Sequence, residues 1–448
     1  MDDLPPPLLL DILNRLTDSA DLARCRLISK SFNALSREVR SINLVCTLSR
    51  YLKLRSPATK DRTTPFKTVF NSLVLNSPVV ESISIGVDKS LGGITYDDVD
   101  DESDDLYLTG AGFVREWLPR VCRELRSLSI SDFWVQSCWR RSDILALVSS
   151  CCHILCELEV KNAWLSVNGL NPMPMLTSLT LESVRLDDED LNKVNHCFPC
   201  LQVLNLIGVG GLKEPKIQLF HLRKFRWTVS NAPQSLTIFA PKLVKLELNC
   251  IEPRALVLET PSLSDFYLSL RKAHKFEVKE LLDLKILQLE SADLCGLIYS
   301  FPSNNSIERL IVDSLKCVKP GDMTMLSLDM LFNMFPNVSS LTLRSGAWSE
   351  METCFVAGGF QSHAGMQGLK EIVAQLVIHD IDITILFIFT VLDKCTNLSD
   401  VALLIHCEVD PKVASNFISR CTADRPRVGW RWGIWNTGSI DTWTSDRI

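Results

Sequence analysis

Cys197-Phe-Pro-Cys200, preceded by His196, is where thiol and imidazole groups come close enough for redox or metal chemistry. A redox pair needs its first thiol near a helix N-terminus, which lowers the thiol pKa. This pair falls at the predicted end of a helix, just before an apolar strand pattern. A zinc site needs a second pair of ligands, and no second C-x-x-C follows. Cys151, Cys152 and Cys156 hold an equivalent helix-to-strand position one repeat earlier than Leu176. Both groups therefore read as structural thiols. Gly208-Val-Gly-Gly211-Leu-Lys213 lacks the Gly-Lys-Ser/Thr ending of a phosphate loop and reads as a turn. There is no His-Glu-x-x-His pair, and the seven histidines are scattered. These residues assign no catalytic group, no metal site and no cofactor.

The elements that would carry such groups repeat along most of the chain. The pattern apolar-x-x-apolar-x-apolar begins at Val39, Val80, Leu125, Leu155, Leu176, Leu201, Leu222, Leu243, Leu263, Leu284, Ile307, Val338, Leu369 and Leu398. A proline stands two residues before it at Pro78, Pro174, Pro199, Pro241, Pro261 and Pro336. From Leu176 to Leu284 the spacings are 25, 21, 21, 20 and 21 residues. A self-similar unit of this length resembles the leucine-rich repeat. Each unit contributes one short strand whose period-2 alternation turns the apolar residues inward. One unit cannot cover its apolar face alone, so neighbours stack into a curved solenoid with parallel strands on the concave side. Wider intervals hold helical patterns at 112–118, 142–148, 187–198, 325–335 and 383–395. The short units at 222–289 lack room for a helix, and their return segments are expected to be turns or extended pieces, such as 255–258.

This arrangement leaves the concave face as a binding surface. The polar residues between the apolar positions point outward: Lys224, Arg226, Lys245, Glu247, Asp265, Tyr267, Gln288, Arg309 and Arg344. Lys224, Arg226 and Lys245 are expected to cluster on adjacent strands beside Tyr267, where they fit an acidic peptide or a small anion. The same residues also fit an ordinary solvated face. Two segments fall outside the repeats. Residues 97–105 carry seven acidic side chains and read as an exposed loop. The segment 426–448 contains Trp430, Trp432, Trp435 and Trp443 and reads as an aromatic cap on the last open edge.

Ahead of the array, residues 1–38 form a unit too small to hide its own apolar residues. Leu8, Leu9, Ile12, Leu13 and Leu16 recur at helical spacing after Leu4-Pro5, and Pro7 is tolerated in a first turn. Asp18 and Ser19 offer an N-cap. A further helix is expected over 21–35, with Leu22, Cys25, Ser29 and Phe32 on one face and Leu27, Ala34 and Leu35 packing inward. The ordered series from Leu4-Pro5 through Leu8-Leu9, Ile12-Leu13, Leu16, Asp21-Leu22 and Arg24-Cys25-Arg26 to Ser29-Lys30-Ser31-Phe32 resembles an F-box. The resemblance covers about 40 residues. It departs at Pro7, where the family commonly has Glu, and at Phe32, where it has Trp; both bear on affinity.

Composition narrows the function classes. The formal net charge of −6 argues against general binding to nucleic acid or an anionic membrane. The longest apolar run, 383–392, is too short to span a bilayer and reads as a buried helix. Asp2-Asp3 and the proline run at 5–7 do not suit a signal peptide, so a cytosolic or nuclear protein with free thiols is expected. Asn-x-Ser sequons at Asn304, Asn337 and Asn397 then carry no weight.

The expected fold is α/β: a helical F-box over 1–38, a leucine-rich-repeat solenoid over 39–425 and the cap over 426–448. The whole chain resembles the F-box/leucine-rich-repeat proteins, most closely the large plant group. That resemblance implies a non-enzymatic substrate receptor of a Skp–cullin–F-box ubiquitin ligase. Leu4, Pro5, Leu8, Ile12, Leu13, Leu22, Cys25 and Phe32 would contact a Skp-type adaptor, and through it a cullin–RING ligase. The repeats would hold an unknown protein substrate. Two other classes fit the same sequence: a receptor gated by a small molecule in the concave face, and a scaffold whose first helices merely cap the solenoid.

Overall fold

Each of the fourteen repeat patterns becomes one β-strand, because alternation lets every second side chain enter the core while the backbone pairs with its neighbours. The computed structural model describes residues 4–94, 104–228, 233–250, 253–271, 275–279, 281–301, 306–315, 326–358, 367–438 and 441–443. The chain forms two compact units, 1–231 and 232–448.

In the first unit the strands Ser41–Cys46, Ser82–Val87, Ser127–Ser131, Glu157–Lys161, Ser178–Glu182, Val203–Ile207 and Lys224–Thr228 pair in parallel, each with the next. The register stacks equivalent repeat positions. Ile42, Ile83, Leu128, Leu158, Leu179, Leu204 and Phe225 form one buried column. Each fully buried aliphatic side chain in such a column contributes roughly 2 kcal/mol. The turns stack as well. Asn162, Ser183 and Gly208 each follow a strand with φ of 55°, 52° and 60°. Their N–H groups reach the next unit: Asn162 to Glu182 O at 2.9 Å and Ser183 to Ile207 O at 2.7 Å. Gly211, with φ of 97°, closes the turn read from the sequence; a Cβ there would lie 2.4 Å from Leu186 O.

The second unit pairs Lys245–Cys250, Asp265–Leu270, Ile286–Ser291, Arg309–Ser314, Ser340–Leu343, Glu371–Leu376, Asp400–His406 and Gly429–Trp435 in the same way. Thr442–Trp443 then adds antiparallel to the last of these. The return segments of its short repeats are extended: Ser235–Phe239, Ala255–Glu259 and Lys275–Lys279 form a second parallel ladder. In the final parallel strand Trp430 and Trp432 stack with centroids 5.5 Å apart, and both are buried. Phe417 meets Trp432 edge-on at 5.9 Å.

Helices fill the wider intervals: Ala111–Val121, Ile144–Cys151, Asp188–Cys197, Leu328–Met334 and Ile381–Lys394. Side-chain acceptors start several of them. Asp187 accepts from Asp190 N at 2.8 Å, and Asp380 accepts from Asp382 N at 2.8 Å. No helix among the described residues is long and apolar enough to cross a membrane.

At the front, α1 (Pro6–Asn14), α2 (Ser19–Cys25) and α3 (Lys30–Leu35) make the N-terminal module, and α4 (Leu48–Arg55) and α5 (Phe66–Leu75) follow the first strand. The helix expected over 21–35 is two helices. Ser29, with extended backbone, accepts from Phe32 N at 3.2 Å and starts α3 afresh. The break turns Leu27 outward, to 87% exposure, and leaves Ala34 exposed rather than packed inward.

Most of the acidic run at 97–105 lies outside the described residues. Its last member, Asp105, is part of the fold: its carboxylate accepts from Phe66 N at 2.7 Å and Lys67 N at 3.1 Å, at the start of α5. Nearby, the fully buried Asp132 accepts from Leu108 N at 2.7 Å, Thr109 N at 3.1 Å and Phe133 N at 3.0 Å. Burial outweighs these bonds and pushes its pKa up to about 6.

Candidate functional site

The N-terminal module divides its apolar residues between an inner and an outer face. Pro6 and Pro7 occupy the first helical positions of α1, where their missing N–H groups cost nothing, and Leu8 N and Leu9 N bond to Pro5 O at 3.0 and 3.2 Å. Along α1, Leu9 and Leu13 face inward. They pack with Leu22 of α2, Phe32 of α3 and Val39, all less than 5% exposed. Leu10, Leu16, Cys25 and Leu35 border this core. Asp18 caps α2 by accepting from Ala20 N at 2.8 Å.

The opposite face of α1 is open. Leu4, Leu8 and Ile12 are 38%, 53% and 45% exposed, and Pro5 is exposed beside them. Leu8 and Ile12, at i and i+4 of α1, share one stripe, and Leu4 and Pro5 stand just ahead of its first turn. Of the eight residues expected at an adaptor contact, Leu4, Pro5, Leu8 and Ile12 therefore lie at the surface. Leu13, Leu22 and Phe32 instead build the module's own core together with Leu9 and Val39. Cys25 is half-buried between the two. Sequence reading missed Leu27 and Ile28, which are 87% and 68% exposed. Ser29 as an N-cap three residues before Phe32 was the available signal that the helix breaks there.

The module is joined to the array without a spacer. Val39 opens the first repeat pattern and also closes the module's core. Asn43, in the first strand, gives its N–H to Ser19 Oγ at 2.8 Å and its side-chain amide to Thr17 O at 2.5 Å.

The charged strand faces are more self-compensated than their spacing implied. Lys224 and Arg226 are exposed on the Lys224–Thr228 strand of the first unit. In the second unit Lys245 is paired with Glu247 at 3.0 Å and Asp265 at 3.8 Å, so it is no open cation. Glu247, Tyr267 and Gln288 are register neighbours on three successive strands. Tyr267 donates its hydroxyl to Glu290 Oε2 at 2.8 Å, and burial together with this bond pushes its pKa up to about 12. Arg309 and Arg344 are exposed on later repeats. The Arg344 charge favours the ionised forms of both Tyr267 and Asp313, against the effect of burial.

Among the described residues the thiols form no reactive centre. Cys197 is the last residue of its helix, and burial raises its pKa, opposite to what a nucleophile needs. Burial also raises the Cys152 thiol. Neither Cys197 and Cys200 nor Cys151, Cys152 and Cys156 form a disulfide.

With this geometry in hand, comparison with known proteins gives two matches. Residues 1–42 match the F-box-like family model. An F-box/LRR-repeat protein of Arabidopsis thaliana is 52% identical over 448 residues, covering 99% of this chain and 100% of that protein.

Proposed function

Since this chain belongs to the F-box/LRR-repeat family, we propose that it is the substrate-recognition subunit of a Skp–cullin–F-box ubiquitin ligase. F-box segments generally bind Skp-type adaptors, and the family is generally of the non-catalytic adaptor type. In this reading Leu4, Pro5, Leu8 and Ile12 dock the adaptor, and the repeat strands hold a protein target. The adaptor links the chain to a cullin–RING assembly in the cytoplasm, the nucleus or both.

The observation that carries the reading is the exposed stripe on α1. The module's core is already filled by Leu9, Leu13, Leu22, Phe32 and Val39, so the remaining apolar side chains are available to a partner. Phe32 fits the same account: inside the core it maintains the shape of the module, and its difference from Trp acts on packing before it acts on contact. The chemistry asked of this chain is positioning. Holding target and ubiquitin-charged enzyme in one assembly replaces a bimolecular encounter by an effective concentration that reaches the millimolar range for short connections. The Ser19–Asn43 and Val39 contacts support this, because they tie the module directly to the first repeat.

A pulldown with a purified Skp-type adaptor tests the proposal. Wild type is expected to capture the adaptor, and a Leu4→Ala/Pro5→Ala/Ile12→Ala variant to lose most of that capture while keeping its circular dichroism spectrum. Failure of the wild-type chain to bind would refute the ligase reading and favour a scaffold.

A further inference from the structure

The cleft between the N-terminal module and α5 holds a cation that no described carboxylate neutralises. Arg26 lies in the turn between α2 and α3. Its side chain lines a cavity of about 540 Å3 together with Leu27, Asn33, Thr68, Val69 and Ser72. Its Nε donates to Ser36 Oγ at 3.1 Å, while its Nη2 is buried and finds no acceptor among the described residues.

Neighbouring arginines are matched: Arg15 to Asp11 at 2.9 Å, Arg24 to Asp21, and Arg40 to Glu81 at 2.6 Å. Arg26, Lys30 and Arg37 have no carboxylate partner among the described residues, and the Arg37 charge acts on Arg26 as a like charge. A half-buried guanidinium without a counter-ion is costly to hold. The rest of the cleft suits an anion. Thr68 and Ser72 offer hydroxyls, and Asn33 offers an amide. Leu27, which lines the cleft, and the next residue, Ile28, stand exposed.

We infer that this cleft receives an Asp or Glu side chain from the docked Skp-type adaptor, with Arg26 as its counter-ion and Leu27 and Ile28 covered by apolar residues beside it. Charge complementarity selects this occupant: Arg26 lines the cleft beside the exposed Leu27, the like charge of Arg37 acts on it, and no described carboxylate offsets either. The inference rests on the adaptor-docking reading above and extends it. The docking surface then spans the module and the first part of the array, so the adaptor fixes the module against α5 as well as gripping α1.

The test measures affinity of the full chain for purified Skp-type adaptor by calorimetry at low and moderate salt. Arg26→Gln removes the charge. Because Arg26 also holds Ser36, a second variant, Thr68→Glu, leaves Arg26 in place and puts a competing carboxylate in the cleft from an exposed position on α5. Each variant is expected to weaken binding about tenfold at low salt. The salt dependence of wild type is expected to shrink in Arg26→Gln. A Thr68→Glu affinity within twofold of wild type would overturn the inference and leave α1 docking intact. No binding by wild type would overturn both.

Discussion

Ser19 Oγ accepts the backbone N–H of Asn43 at 2.8 Å, joining the second helix of the N-terminal module to the first strand of the repeat array. Ser19 is only 4% exposed, so this bond has no solvent to replace it. Its loss would remove the contact and leave the part-buried Asn43 N–H without its acceptor.

Ser19→Ala is therefore expected to cost about 1–2 kcal/mol. The effect should be local. Hydrogen exchange should quicken in α1–α3 and in the strand Ser41–Cys46, while amides of the strands Asp265–Leu270 and Ile286–Ser291 keep wild-type protection. Uniform loss of protection in both units would count against a local hinge.

The two faces of α1 should separate under mutation. Leu8→Ala/Ile12→Ala removes exposed side chains and is expected to change unfolding free energy by no more than about 0.5 kcal/mol per site, while sharply reducing adaptor capture. Leu13→Ala opens a cavity in a closed core and is expected to cost about 2–5 kcal/mol. Urea titration with a parallel pulldown distinguishes them. Equal destabilisation by the surface and core variants would contradict the assigned faces.

Asp132 gives a pH signature. Its folded-state pKa is raised by burial to about 6, above the unfolded carboxylate value. The native state thus keeps a proton that the unfolded chain releases between about pH 4 and 6. The stability this group adds is fully present below that window and is lost as pH rises through it, by roughly 3 kcal/mol in all. Asp132→Asn should flatten this part of the stability profile. If urea midpoints of variant and wild type change in parallel from pH 4 to 6.5, Asp132 is not the source.

The end of the array should fail first when its cover is thinned. Trp432 stacks on Trp430 and meets Phe417 at 5.9 Å, so Trp432→Ala is expected to destabilise the second unit by about 3–5 kcal/mol. Because each repeat rests mainly on its neighbours, exchange should quicken first in Gly429–Trp435 and Asp400–His406 and least in Lys245–Cys250. Exchange that accelerates first at Lys245–Cys250 would contradict the capping role.

The strands were legible because alternation and spacing act within each repeat. Ile42-x-Leu44 and Leu246-x-Leu248 announce inward positions without reference to any other part of the chain. The extended return at Ala255–Glu259 was legible too, since about 20 residues per repeat leave no length for a helix. The N-terminal module was harder. Leu22, Cys25 and Phe32 share a face only if the helix over 21–35 is continuous, and one serine cap at Ser29 breaks it.

The order of apolar positions from Leu4-Pro5 to Phe32, and the recurrence of Leu-x-x-Leu-x-Leu, determine the family and the fold, because local periodicity already encodes which residues must leave water. Which of those residues remain outside is not a local property. Leu8 and Leu9 differ by one position, yet one is half exposed and the other is 3% exposed, because α2, α3 and Val39 close over a single side of α1. The same holds for charge. Lys245 is an open cation in the sequence and an ion-paired one in the fold, whereas Arg26, unremarkable in the sequence, becomes the uncompensated charge once Ser36 and α5 enclose it. Burial and pairing are set by what packs against a residue, and only the tertiary structure brings those neighbours together.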